Sequence, residues 1–161
     1  MYEDRVTKAV ELFKEGYNCS QSVVGAFADM YGFTPEQAFR MSSSFGGGIG
    51  RMRETCGAAC GLFMLAGLET GATKGSDKEG KAANYALVQK LADKLKSKNG
   101  SIVCGVLLGL RKSEVELQTI NNLSSVPAER TEQYYKKRPC VQLVEQAARL
   151  WTEYLEDQMR K

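Results

Sequence analysis

Apolar residues recur along most of this chain at the three- and four-residue spacing that is typical of one face of an α-helix. The spacing is clearest between Val6 and Phe13 and between Val144 and Leu155. Only three prolines interrupt the pattern, and no two stretches have the features of strands that could pair with each other. The pattern predicts an all-α protein, a single-domain bundle of five to seven helices over residues 1–161.

Several helix starts are marked by residues that commonly cap helices. Asn18, with Gln21 three residues later, has the pattern of a capping box. The sequence Thr34-Pro35-Glu36 has an N-cap residue, then proline at the first helical position, then an acidic first turn. Asp77 is the expected cap of the helix that follows a polar loop from Gly71 to Gly80. The last helix is expected to begin at Pro139.

Four stretches depart from simple amphipathic helices. Residues 42–50 are rich in serine and glycine and cannot form a regular helix. Residues 56–68 are apolar and rich in glycine and alanine, which predicts a buried central helix that its neighbours approach closely. The segment from Ser101 to Leu108 fits a buried strand or a short helix, and we favour the helix. Lys112 to Val126 is weakly patterned and is expected to be irregular.

The residue types that are present or absent restrict the possible functions more than the net charge does. Lys and Arg total 22 and Asp and Glu total 19, and the resulting charge of +3 is too small to indicate a nucleic-acid-binding protein. The chain has no histidine, which excludes imidazole acid–base catalysis, Ser-His and Cys-His nucleophiles, and zinc sites that need imidazole. Five cysteines remain, and sulfur chemistry is the predicted function.

The sequence also indicates in which cellular compartment the protein is expected. The first five residues are partly acidic and lack the apolar core of a signal peptide. The longest uncharged run, Thr55 to Leu68, has 14 residues, which is short of the roughly 20 that span a bilayer. We therefore expect a cytoplasmic protein with no membrane span. In that reducing compartment cysteines are usually free, metal-bound or catalytic.

Four of the five cysteines fall in the first turn of a predicted helix, where unpaired N–H groups and the helix dipole favour a thiolate. With the residue expected to begin each helix, they are Cys19 after Asn18, Cys56 after Thr55, Cys104 after Ser101 and Cys140 after Pro139. Arg51 and Arg53 precede Cys56, and the basic run 136–138 precedes Cys140, so positive charge should lower both pKa values further. Cys60 lies one turn after Cys56, and packing is its expected role.

The motif Cys56-Gly57-Ala58-Ala59-Cys60-Gly61 resembles the C-G-A-x-x-G signature of a family of small redox-active proteins named for a C…GCAxxG…C…C pattern. The glycine run Phe45–Gly48 also resembles that of the family, and the resemblance covers roughly residues 17–145. It implies a bacterial or archaeal protein with redox activity. Cys19, Cys56, Cys104 and Cys140 are then its first to fourth cysteines, and Cys60 falls on a variable position.

Three functions remain open for the four cysteines. The favoured one is thiol–disulfide exchange or electron transfer, as in a thiol–disulfide oxidoreductase, with Cys56 as the attacking thiolate and Cys19, Cys104 or Cys140 resolving it. Its partner would be a redox protein or a small thiol, and it needs no cofactor. The second is a zinc or iron–sulfur site on the four cysteines, although the chain lacks the short C-x2-C spacing of structural zinc sites. The third is a non-enzymatic helical adaptor with cysteines in its core.

Two further features have competing interpretations. The glycine run 46–50, followed by Arg51 and Arg53, has the residues to bind a phosphate or a sulfur anion. It lacks the G-K-[ST] of a P-loop, so we favour a tight turn that lets the backbone approach Cys56. The face of the last helix that carries Trp151 and Leu155 is expected to be core, with a homodimer contact as the alternative.

Overall fold

A computed structural model describes residues 1–116 and 124–161, and in those residues the regular secondary structure is helical. Two short 3-10 helices cover Ala28–Tyr31 and Ser43–Phe45. The α-helices are α1 (Glu3–Glu15), α2 (Cys19–Phe27), α3 (Pro35–Ser42), α4 (Gly57–Thr70), α5 (Lys78–Asn99), α6 (Cys104–Leu107), α7 (Glu132–Lys137) and α8 (Cys140–Met159). The all-α prediction is confirmed. The described residues form eight α-helices, one more than the upper limit of the predicted five to seven, and α6 and α7 are the two with fewer than eight residues.

The predicted capping residues begin their helices as expected. The Asn18 side chain accepts a hydrogen bond from the Gln21 backbone N–H at 2.9 Å, and the Gln21 side chain accepts one from the Asn18 N–H at 3.1 Å. Thr34 and Gln37 form the same reciprocal pair at the start of α3. Asp77 accepts a bond from the N–H of the third residue of α5 at 2.9 Å. These local bonds satisfy N–H groups that a helix start leaves without partners.

Helix α4 forms the centre of the bundle and packs against α2, α5 and α8. Residues 57–62 are all buried, and their small side chains let the neighbouring backbone approach closely. At Gly61 an added Cβ atom would lie 3.0 Å from the carbonyl oxygen of Ser20 in α2. The predicted central Gly/Ala-rich helix is therefore confirmed. Phe13, Phe27 and Trp151 are among the largest fully buried side chains of the surrounding helices.

The structure corrects two predicted helix starts. The residue that precedes α4 as its N-cap is Cys56, not Thr55, and the N-cap of α6 is Val103, not Ser101. Thr55 and Val103 instead pair with each other in an isolated antiparallel bridge. The segment from Ser101 to Leu108 thus contains the short helix that was favoured, preceded by one isolated bridge residue.

The structure also bears on the predictions for the last helix, for residues 112–126 and for membrane spans. Trp151 and Leu155 are buried within the chain's own core, so that face is not exposed for a dimer contact. Of the segment from Lys112 to Val126, residues 117–123 lie outside the described residues, and the described parts contain no helix. Within residues 1–116 and 124–161, no helix has both the length and the apolar character needed to cross a bilayer.

Candidate functional site

One cavity of about 490 Å³ is lined by four of the five cysteines. Each of them stands at the start of a helix: Cys19, Cys104 and Cys140 are the first residues of α2, α6 and α8, and Cys56 immediately precedes α4. All are free thiols. Cys19 and Cys140 are partly exposed, whereas Cys56 and Cys104 are buried. The structure thus gathers thiols from distant parts of the chain at the mouths of four helices.

The bridge between Thr55 and Val103 holds two of these helix starts together. The Cys56 N–H donates to the Ile102 carbonyl at 2.7 Å, and the Cys104 N–H donates to the Glu54 carbonyl at 2.6 Å. Because side chains alternate along paired extended backbone, both cysteines, each one residue beyond the bridge, lie on the same side of it. This pairing brings residues nearly 50 positions apart into one wall of the cavity.

Cys19 and Cys140 form the accessible pair of thiols. The Cys19 thiol donates a hydrogen bond to the Cys140 sulfur, and this bond is the main reason that the pKa of Cys140 lies below its ordinary value. The Arg138 guanidinium and a hydrogen bond from the Tyr134 hydroxyl lower the pKa of Cys140 further, against the effect of burial. The same bond raises the pKa of Cys19, because its proton is held by the neighbouring sulfur. Of the two thiols, Cys140 is therefore the one whose surroundings favour the thiolate.

The other thiols are held in their protonated form. Burial raises the pKa of Cys56 to about 12, although the amide groups of Ala58 and Ala59 oppose the rise. Burial also raises the pKa of Cys104, against a hydrogen bond from the Arg53 guanidinium at 3.8 Å. The prediction that Cys56 has the lowered pKa is therefore wrong, because its burial outweighs its place at a helix start. Arg53, expected beside Cys56, contacts Cys104.

Cys60 lies outside the residues that line the cavity. Its thiol donates to the Thr55 carbonyl at 3.8 Å, within the same turn of chain. Burial raises the pKa of Cys60 to about 11. These contacts agree with the packing role expected for it.

Four arginine side chains line the cavity, and no Asp or Glu does so among the described residues. Three of these arginines, Arg51, Arg53 and Arg138, were singled out in the sequence. The fourth, Arg130, was missed, because its guanidinium reaches back across the chain to the carbonyls of Phe13 and Tyr17. No local pattern marks such a contact. The lysines at 136 and 137 are exposed and do not line the cavity.

The glycine run forms a turn with an unusual backbone. Residues 47–51 all have positive φ angles between 57° and 74°, and Arg53 has a φ of 61°. For residues other than glycine this conformation costs about 1–2 kcal/mol each, so Ile49 and Arg51 are strained. The turn packs on Cys104, since a Cβ atom on Gly48 would lie 2.5 Å from the Cβ of Cys104. The predicted tight turn exists, and the cysteine side chain that it packs against is that of Cys104.

The arrangement of the thiols does not fit a metal centre. Among residues 1–116 and 124–161, which include all five cysteines, no three Cys, Asp or Glu side chains are grouped so that they could hold one ion. A zinc or iron–sulfur site of the four-thiolate kind needs all four sulfurs around one centre. Here the four thiols line one cavity, but no three of them are grouped closely enough to hold one ion.

Comparison with known proteins identifies the family. Residues 17–154 match the family described as "Putative redox-active protein (C_GCAxxG_C_C)". A comparison with curated proteins found no match, and neither did a comparison with solved structures. The family match covers most of the chain and includes all four cysteines of the cavity. The protein is therefore a member of the C_GCAxxG_C_C family, whose described character is redox activity.

Proposed function

We propose that this protein carries out thiol–disulfide exchange, with Cys140 as the attacking thiolate and Cys19 as the resolving thiol. The observation that carries the proposal is that Cys19, Cys140 and Arg138 line one cavity, where the interaction with Cys19 and the Arg138 charge lower the pKa of Cys140. A thiolate is the nucleophile in disulfide exchange, and Cys140 has the pKa that favours it. Both residues are partly exposed and line the cavity, which a substrate must enter to reach them.

The exchange has two balanced steps. The Cys140 thiolate attacks one sulfur of a substrate disulfide, which forms a mixed disulfide and releases the other substrate sulfur as a thiolate. Cys19 then gives up its proton to the released thiolate or to water, and its sulfur attacks the Cys140 sulfur. The products are a Cys19–Cys140 disulfide and a second substrate thiolate. The protein dithiol loses two electrons and the substrate disulfide gains them, and the reverse reaction oxidises a substrate dithiol.

Cys56 and Cys104 have a different place in this proposal. Their burial and raised pKa values keep them protonated near neutral pH, which makes them poor attacking groups. They form the inner wall of the cavity behind the reactive pair. Arg53 is buried and donates to the Cys104 sulfur. We therefore assign the exchange to the outer pair alone.

Trapping of the mixed disulfide tests the assignment. We expect the reduced wild-type protein to react with dithiodipyridine and release two thiopyridone molecules, because Cys19 resolves the first adduct. A Cys19→Ser variant should release one and retain a stable pyridyl adduct on Cys140, which intact mass and peptide mapping detect. A Cys140→Ser variant should react slowly at every remaining thiol.

The matched control is Cys60→Ser, which removes a buried thiol outside the cavity and should behave as wild type. A stable adduct on Cys56 or Cys104 in the Cys19→Ser protein would contradict the assignment. So would release of two thiopyridone molecules from that variant.

A further inference from the structure

We propose that the substrate of this cavity is a small anionic disulfide, or the thiol derived from it, whose carboxylate or phosphate groups bind the cavity arginines. This inference rests on the proposed function and adds the substrate class. Arg51, Arg53, Arg130 and Arg138 all line the same space as the reactive thiols. Arginine binds carboxylate and phosphate through paired N–H donors, so a cluster of four is a recognition surface for anions.

The positive charge of the cavity has no protein counter-charge. Among the described residues, arginine ion pairs involve Arg5, Arg40, Arg111, Arg149 and Arg160, and none involves a cavity arginine. The segment 117–123 contains no Asp or Glu that could supply one. The Cys140 thiolate is the one anionic group of the described lining, against four guanidinium groups.

The arginines crowd one another. The pKa of Arg51 lies below its ordinary value because of burial and because Arg53 and Arg138 stand near it. Like charges held together in a partly dry site are costly unless an anion binds among them. A bound anion would thus lower the free energy of the whole cavity.

Two of the guanidinium groups keep donors available. Arg53 is only 7% exposed, and the one hydrogen bond that its guanidinium donates to a described residue is the long contact to the Cys104 sulfur. The Arg138 guanidinium lies over the Tyr134 ring at 4.8 Å and donates no hydrogen bond to a described residue. Arg51 and Arg130, by contrast, hold backbone carbonyls and shape the wall. An anion held by Arg53 and Arg138 would share the cavity with the reactive pair, because both arginines line it together with Cys19 and Cys140.

The size of the cavity favours a small molecule. Its volume of about 490 Å³ lies within the range that small-molecule sites occupy. Leu107, Leu108 and Leu143 supply apolar wall beside the arginines, which suits the methylene groups between a sulfur and its acidic group. A disulfide of two short thiols with terminal carboxylates has these features.

Three symmetric disulfides that differ in charge test the inference. Reduced protein is oxidised by dithiodiglycolate (anionic), bis(hydroxyethyl) disulfide (neutral) or cystamine (cationic). Each rate is divided by the rate at which the same disulfide reacts with mercaptoethanol, which corrects for its intrinsic reactivity. We expect the normalised rate for the anionic disulfide to exceed the neutral one by about tenfold or more at low salt, and the excess to shrink at high salt. Arg51→Gln and Arg138→Gln should each reduce the preference. Lys137→Gln, which removes the same charge outside the cavity, should not.

A redox-inert probe separates this inference from the proposed function. Thiodiglycolate, a thioether with two carboxylates, should bind the wild type and bind the two arginine variants more weakly. Equal normalised rates for the three disulfides would overturn the anionic substrate while leaving thiol exchange intact. Binding of thiodiglycolate without oxidation by any disulfide would instead contradict the proposed function and leave the anion site. Preference for a protein disulfide over all three small ones would also overturn the inference.

Discussion

At the scale of single residues, the cysteines show that a helix start does not by itself decide the state of a thiol. The helix dipole contributes about 0.3–1 kcal/mol at an exposed terminus, which is less than one pKa unit. Burial shifts a pKa by as much as 3–5 units. Burial is the main influence on the pKa of Cys56. Cys140, by contrast, is partly exposed, and a hydrogen-bond donor and cations beside it lower its pKa. Neighbours and exposure therefore select Cys140.

The pH dependence of alkylation tests this difference. Since only the thiolate reacts, the rate for Cys140 with iodoacetamide should rise with pH through an apparent pKa below the value of about 8.5 for a free cysteine. Arg138→Gln removes a charge that favours the thiolate, so it should move this apparent pKa upward and slow the reaction at neutral pH. Peptide mapping after timed quenching follows each cysteine separately.

Lys137→Gln is the control for that experiment, because Lys137 is exposed and outside the cavity. Its profile should match that of the wild type. A faster reaction of Cys56 than of Cys140 at neutral pH would contradict the order of pKa values.

At the scale of elements, the sequence predicted the first residue of a helix where a neighbouring residue caps it. It did not do so where the helix start depends on pairing with a distant part of the chain. Asn18, Thr34 and Asp77 cap their helices through bonds to residues within three positions, and the sequence contains every participant. The starts of α4 and α6 depend on the bridge between Thr55 and Val103, which joins separate parts of the chain. No local pattern specifies that partner.

The left-handed turn supports a prediction with a closely matched control. Gly48 and Gly50 both have positive φ angles, so replacing either with alanine adds backbone strain of about 1–2 kcal/mol. An alanine Cβ at position 48 would also meet the Cys104 side chain and nearby backbone, whereas at position 50 the nearest atom is 3.9 Å away. Gly48→Ala should therefore lower the free energy of unfolding by about 1–3 kcal/mol more than Gly50→Ala does.

Urea unfolding of the two variants, in the presence of reductant, measures this difference. Equal losses would show that the turn does not pack tightly on Cys104. A larger loss for Gly50→Ala would contradict the described packing altogether.

At the scale of the whole molecule, the sequence predicted which cysteines share a site but not how they divide it. The position of four thiols at predicted helix starts was enough to mark them as candidates for one shared site. Which two form a pair depends on how α2 and α8 cross the centre of the bundle. Arg130 contributes through a contact more than 100 residues distant in the chain, which explains why it was missed.

The proposed disulfide would link helices near the two ends of the chain, and this has a consequence for stability. Residues 19 and 140 enclose well over 100 residues, so the bond removes much freedom from the unfolded chain. We expect oxidation to raise the free energy of unfolding by about 2–4 kcal/mol. Urea unfolding of oxidised and reduced protein should show the rise in the wild type and in Cys60→Ser, and not in Cys140→Ser. A rise of the same size in Cys140→Ser would place the disulfide elsewhere.

Mapping of the disulfide in the oxidised wild-type protein is the most direct measurement. Reduced protein is treated with one equivalent of dithiodipyridine, the remaining thiols are alkylated under denaturing conditions, and the linked peptides are identified by mass spectrometry. The account predicts one dominant link, between Cys19 and Cys140, with Cys56, Cys60 and Cys104 alkylated. A dominant link between Cys56 and Cys104, or no intramolecular link at all, would contradict it.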